Sequence, residues 1–152
     1  MDTTNIQPMM ETDMSEKSTR LAGQDCRSFV KELKLFHNSG FNTRHPKGST
    51  LWSEKRGDTY VVYSYGNHWP LFINWKGIWF ANKDKSPSRT TTRHTSQTNP
   101  YVPAVPLSSM EMCRMALYSK PEPEMLVKAA KLKLIPDHLV PEVTAIRIGA
   151  AA

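Results

Sequence analysis

Cysteine is scarce in this chain: 152 residues hold only Cys26 and Cys113. Two cysteines so far apart exclude a disulfide framework, and neither has the nearby partner of a zinc site. Each falls on the apolar side of a segment that reads as helical, so both are expected to be small buried hydrophobes. Long hydrophobic runs are also absent. No stretch approaches the ~20 apolar residues of a membrane span. Residues 1–20 are polar and acidic, without the apolar core of a signal peptide, so a cytoplasmic location is expected. The histidines are His37, His45, His68, His94 and His138, and none forms a close pair at ligand spacing. No nucleotide-binding, metal-binding or catalytic-triad motif and no internal repeat is present. No metal and no cofactor are expected.

Charge is unevenly spread. The net charge is +6. Residues 1–20 carry Asp2, Glu11, Asp13 and Glu16 against Lys17 and Arg20, whereas between residues 27 and 93 twelve bases face four acids. The remainder, 94–152, is nearly neutral. A positive field concentrated on one part of a small protein attracts nucleic acid or acidic proteins. A basic surface that serves only solubility is the competing reading.

Residues 1–21 lack periodicity and read as a disordered acidic leader. In GQDCRSFVKELKLFHNSGF, Cys26, Phe29, Val30, Leu33 and Phe36 recur at helical spacing, with Asp25 at the start and Asn38-Ser39-Gly40 as a stop. The opposite face of that helix carries Arg27, Lys31 and Lys34. FNTRHPKGS, residues 41–49, reads as a loop. Strand-like runs follow at 50–55, 59–65, 70–75 and 78–82, separated by Arg56-Gly57-Asp58, Gly66-Asn67 and the hairpin pair Lys76-Gly77. One face of this meander is expected to pack on helices and the other to meet solvent or ligand. Residues 83–106, punctuated by Pro87, Pro100, Pro103 and Pro106, are expected to be an irregular loop. Ser108 and Glu111 have capping-box spacing, and Met110, Cys113, Ala116 and Leu117 continue as a helix. Another helix is expected from Glu122 to Leu134 with Met125, Leu126, Ala129 and Leu132 inward, then a short strand at Val143–Ile148. The fold class is therefore α+β: an antiparallel β-meander of three to five strands packed with about three helices. It forms a single domain over 22–148 with a tail at 149–152.

Two chemistries fit the stretch from Tyr60 to Asn99. His68 follows a strand and a turn, and His94 lies among hydroxyls and cations. Two imidazoles near neutral pKa suit acid/base cleavage of a phosphodiester, with Arg93 stabilising charge on phosphorus. Each imidazole equally fits a turn-fixing hydrogen bond. The same stretch also suits binding: aromatic side chains can stack bases while Lys and Arg hold phosphates, unless helices cover both sheet faces and the rings are core. The contact residues expected on this reading are Tyr65, Trp69, Lys83, Lys85, Arg89, Thr92 and Arg93.

YVVYSYGNHWPLF followed by NKDKSPSRTTTRHTSQ resembles a group of small uncharacterised bacteriophage and mobile-element proteins. The resemblance spans residues 59–97. It rests on a tyrosine-rich strand, a Gly-x-His-x-Pro turn and a threonine-x-Arg-His element: Tyr63, Tyr65, Gly66, His68, Pro70, Asn82, Thr91, Arg93, His94 and Gln97. The SPSR before the threonines departs from a shorter form. The resemblance implies an accessory protein of host-takeover or anti-defence type in a bacterial cytoplasm. Its expected partner is nucleic acid or an acidic, nucleic-acid-handling host complex, without a membrane. The expectations are thus a non-enzymatic binder first, a metal-independent phosphodiesterase using His68 and His94 second, and a protein-partner inhibitor third.

Overall fold

The computed structural model describes residues 17–38, 50–65 and 69–151. Its elements run β1 (Thr19–Arg20), α1 (Cys26–Lys31), β2 (Phe36–His37), β3 (Leu51–Arg56), β4 (Thr59–Ser64), β5 (Pro70–Trp75) and β6 (Ile78–Asn82). Then come α2 (Arg89–Thr98), β7 (Val105–Leu107), α3 (Ser109–Tyr118), α4 (Pro123–Lys131) and α5 (Val140–Ala151). The leader expected over 1–21 lies outside the described residues up to 16, but Thr19–Arg20 form β1 and join the sheet, so the domain begins before residue 22. At the other end the expected tail from 149 continues α5 to Ala151. Ser39-Gly40, the loop at 41–49 and Gly66-Asn67-His68 also lie outside the described residues.

The class is α+β, with a sheet of seven strands in sequence order. Strands β3 to β6 pair antiparallel as the turn chemistry predicts, and β2, where the sequence pattern continues a helix, adds antiparallel to β3. Lys76 and Gly77 both have positive φ, 52° and 97°, the backbone twist that a two-residue hairpin needs. The sheet is mixed, not purely antiparallel. β1 pairs parallel with β2, and β6 pairs parallel with β7. Parallel partners require a crossover, and here each crossover contains a helix: α1 between β1 and β2, and α2 between β6 and β7.

The expected open sheet face is a further correction. All six residues of β4 are buried, as are all six of β5, the mark of a strand covered on both sides. On one side Val61, Tyr63, Ile73, Trp75 and Phe80 pack against Met112 and Met115 of α3, Met125, Leu126 and Ala129 of α4, and Val143 of α5. On the other side Tyr60, Val62 and Phe72 meet Cys26 and Val30 of α1. Burial, with Asp25 nearby, pushes the Cys26 thiol up to about 12, so it packs as an inert hydrophobe.

Four local expectations also change. The first helix stops at Lys31, and Phe36 joins β2 although its spacing continues the helical stripe. Helix α3 has the expected capping box, yet it buries Met112, Met115 and Ala116 and leaves Met110 and Leu117 exposed. Leu132 lies past the end of α4 and is 49% exposed, so it does not point inward. Val143–Ile148 belongs to α5, not to a strand, because Val143 seats on the core from a helix.

Candidate functional site

The segment read as an irregular loop contains α2, and this helix builds the site. Ser88 is its N-cap: the backbone is extended there and the side-chain oxygen accepts from the Thr91 amide at 3.1 Å. Threonines then bond back along the helix. Thr92 Oγ1 donates to Ser88 O (3.1 Å), Thr95 Oγ1 to Thr91 O (3.0 Å) and Thr98 Oγ1 to His94 O (2.8 Å). The buried Thr98 hydroxyl is thereby satisfied within the helix. The buried face is Thr91, His94 and Thr98, at helical spacing but polar. Pro100 lies just beyond the helix end.

This polar face docks on the last residue of β4. Ser64 is fully buried, and its Oγ lies 2.8 Å from His94 Nδ1 and 3.3 Å from Thr91 Oγ1. A Ser64 hydroxyl that donates to Thr91 leaves a lone pair for a protonated Nδ1. His94 is 5% exposed. Burial, and then the neighbouring Arg93 cation, hold its pKa below the ordinary 6.5, which favours the neutral imidazole. The pair resembles a nucleophile and its base, but a hydroxyl with no exposure cannot reach a substrate.

The other end of α2 is held by α1. Arg27 Nε donates to Asn99 O (2.9 Å) and its Nη2 to Ser96 O (2.7 Å), a cation on the carbonyls that end a helix. The same guanidinium lies 4.5 Å from the centre of the Tyr101 ring. Arg27 is thus a clamp and not part of an exposed basic stripe, and Lys34 pairs with Glu32 at 2.8 Å. Gly23 lies directly against the side-chain amide of Gln97, so the turn before α1 meets α2 through that side chain.

The expected contact residues divide clearly. Lys83, Lys85, Arg89, Thr92 and Arg93 are exposed along the end of β6, the connecting loop and the outer face of α2. Tyr65 follows β4, is 53% exposed, and has its ring 5.8 Å from that of His94. Tyr65 and His94 are therefore brought together, and Arg93 is the residue before His94 on the exposed side of α2. Trp69 is half-buried and packs against the core beneath α1. His68 lies outside the described residues. Tyr60, Tyr63, Phe72, Trp75 and Phe80 are core.

Sequence reasoning missed Ser64, Ser88 and Thr91 as the network that fixes His94, and it missed Tyr101. The signal was present in part: Ser88 precedes Thr91 by the N-cap interval, and Thr91, His94 and Thr98 follow helical spacing. Among the described residues no group of three metal-ligating side chains comes together, and no helix is long and apolar enough to cross a membrane. Comparison with protein-family models, curated proteins and solved structures finds no match to the chain.

Proposed function

We propose that the chain is a non-enzymatic nucleic-acid-binding protein, an accessory protein of a phage or mobile element of the host-takeover or anti-defence type. One observation carries the binding reading. Lys83, Lys85, Arg89 and Arg93 are exposed in one short stretch, and no described carboxylate pairs with any of them. The one acid among them, Asp84, is engaged elsewhere: its Oδ2 accepts from the Ser109 amide at 2.8 Å. Four uncompensated cations in one exposed stretch suit phosphate contacts that hold a strand in place. The origin in a phage or mobile element rests on the sequence resemblance over residues 59–97.

The acid/base reading has less support. A general acid must hold a proton at working pH and reach its substrate. His94 is buried and tied to Ser64, and burial, with Arg93 beside it, lowers its pKa and so works against its holding a proton. Incubating the purified chain with labelled single-stranded RNA and DNA in EDTA separates the readings. The expected result is a salt-sensitive mobility shift with intact strands. Cleavage lost in His94→Ala would instead establish the phosphodiesterase, and neither shift nor cleavage would leave a protein partner as the target.

A further inference from the structure

We propose that Tyr65 is a stacking platform for an unpaired base, so that the basic surface takes single-stranded nucleic acid in preference to duplex. This rests on the nucleic-acid reading above.

The argument begins with backbone geometry. Six described non-glycine residues have positive φ. Lys76 lies in the β5–β6 hairpin, and Leu33, Ser119 and Lys133 lie just beyond the ends of α1, α3 and α4, where a left-handed residue is the ordinary helix stop. The other two, Tyr65 and Tyr101, are both exposed tyrosines. A left-handed tyrosine is strained and persists only where its surroundings hold it. At Tyr65 the hold is a backbone bond, Tyr65 N–H to Thr50 O at 2.8 Å. At Tyr101 the Asn99 Oδ1 accepts from the backbone amide, and the ring is already engaged by Arg27.

The Tyr65 ring is different. It leans on His94, tilted by 33°, and His94 is itself fixed by Ser64. A rigid imidazole thus supports one side of the ring while more than half of Tyr65 remains exposed. Its orientation is set before any ligand arrives, which lowers the ordering cost of binding. Arg93 is adjacent to His94 in sequence, and Arg89 lies one helical turn earlier on the exposed side of α2. A ring of this kind offers its face. In a duplex the base faces are covered by their neighbours and only edges and phosphates are presented. In a single strand each base has a free face, and a ring flanked by cations takes both base and phosphate.

The test is fluorescence anisotropy of the full chain with a labelled 15-mer of deoxythymidine, a 15-mer of uridine and a mixed-sequence 15-base-pair duplex. Tyr65→Asn removes the ring while supplying a residue that tolerates the left-handed backbone, and thermal melting checks that the variant is folded. Tyr65→Phe and Tyr65→Trp keep a ring. The expected result is tighter binding of the single strands than of the duplex. Tyr65→Asn should weaken single-strand binding about 5- to 140-fold (~1–3 kcal/mol per stacked base) with duplex affinity unmoved, and both ring-bearing variants should retain it. If Tyr65→Asn binds single strands as the parent does while Arg89→Ala with Arg93→Ala weakens them, stacking is overturned and phosphate binding stands. Equal or tighter duplex binding overturns the strand preference. No binding to any of the three overturns the nucleic-acid reading itself.

Discussion

At the scale of the residue, the least expected finding is a histidine buried by hydroxyls. His94 was a natural candidate for surface chemistry, yet Ser64 and Thr91 give it a place in the interior. Nothing local to RTTTRHTSQT announces that Ser64, thirty residues earlier, is its partner. If the network holds α2 to β4, removing one oxygen leaves a buried ring nitrogen unpaired. Ser64→Ala should therefore destabilise the fold by about 1–3 kcal/mol, read as a lowered urea midpoint with an unchanged slope. A change within a few tenths of a kcal/mol would count against the network. Titration gives a second expectation. Burial lowers the pKa of His94, aided by Arg93, and burial lowers that of His37, aided by Arg20, both from the ordinary 6.5. Below about that value the unfolded chain binds more protons than the folded one. Stability is thus full above the unfolded pKa and falls as pH drops through 6.5 toward the folded values. Urea midpoints measured between pH 7.5 and 5.5 should decline on acidification, and less steeply in His94→Gln. A midpoint that rises on acidification would contradict this.

At the scale of the element, legibility followed how local the determining chemistry is. The hairpin at Lys76-Gly77 and the capping box at Ser108 and Glu111 are written in a few consecutive residues, and both appear where the sequence places them. Helix α2 was hidden because its buried face is threonine and histidine, so apolar periodicity has nothing to detect. Val143–Ile148 was misleading for the opposite reason. Its β-branched residues favour a strand in isolation, and packing of Val143 on the shared core overrides that preference. Phe36 continues a helical stripe in sequence but is held in β2, where its amide donates to Ser53 Oγ at 3.0 Å. The cap of α2 makes the point testable. Ser88→Ala should cost about 1 kcal/mol and Ser88→Gly only a few tenths, measured by thermal or urea unfolding. Equal effects from both, or none from Ser88→Ala, would show that α2 is held by its packing alone.

At the scale of the whole molecule, two faces of one sheet have separate tasks. The C-terminal helices α3, α4 and α5 close one side over an apolar core. On the other side α1 and α2 lie against each other, joined by Arg27 and by the close approach of Gly23 to Gln97. Arg89 and Arg93 lie on the outside of that second layer, and Lys83 and Lys85 lie on the connection that leads into it from β6. The basic stretch and the exposed tyrosine were legible as a binding composition. Their assembly beside His94 was not, because the crossover that carries α2 back to β4 depends on the parallel pairing of β6 with β7. The measurement that tests this account most directly is the salt dependence of affinity for a labelled single-stranded oligonucleotide. With Lys83, Lys85, Arg89 and Arg93 each on a phosphate, the slope of log K against log salt should be about −3, from roughly −0.7 per phosphate neutralised on a single strand. Arg89→Ala together with Arg93→Ala should reduce its magnitude by about 1.4 on the same basis. An affinity indifferent to salt, or a slope unchanged in the double variant, would contradict the claim that this surface binds nucleic acid.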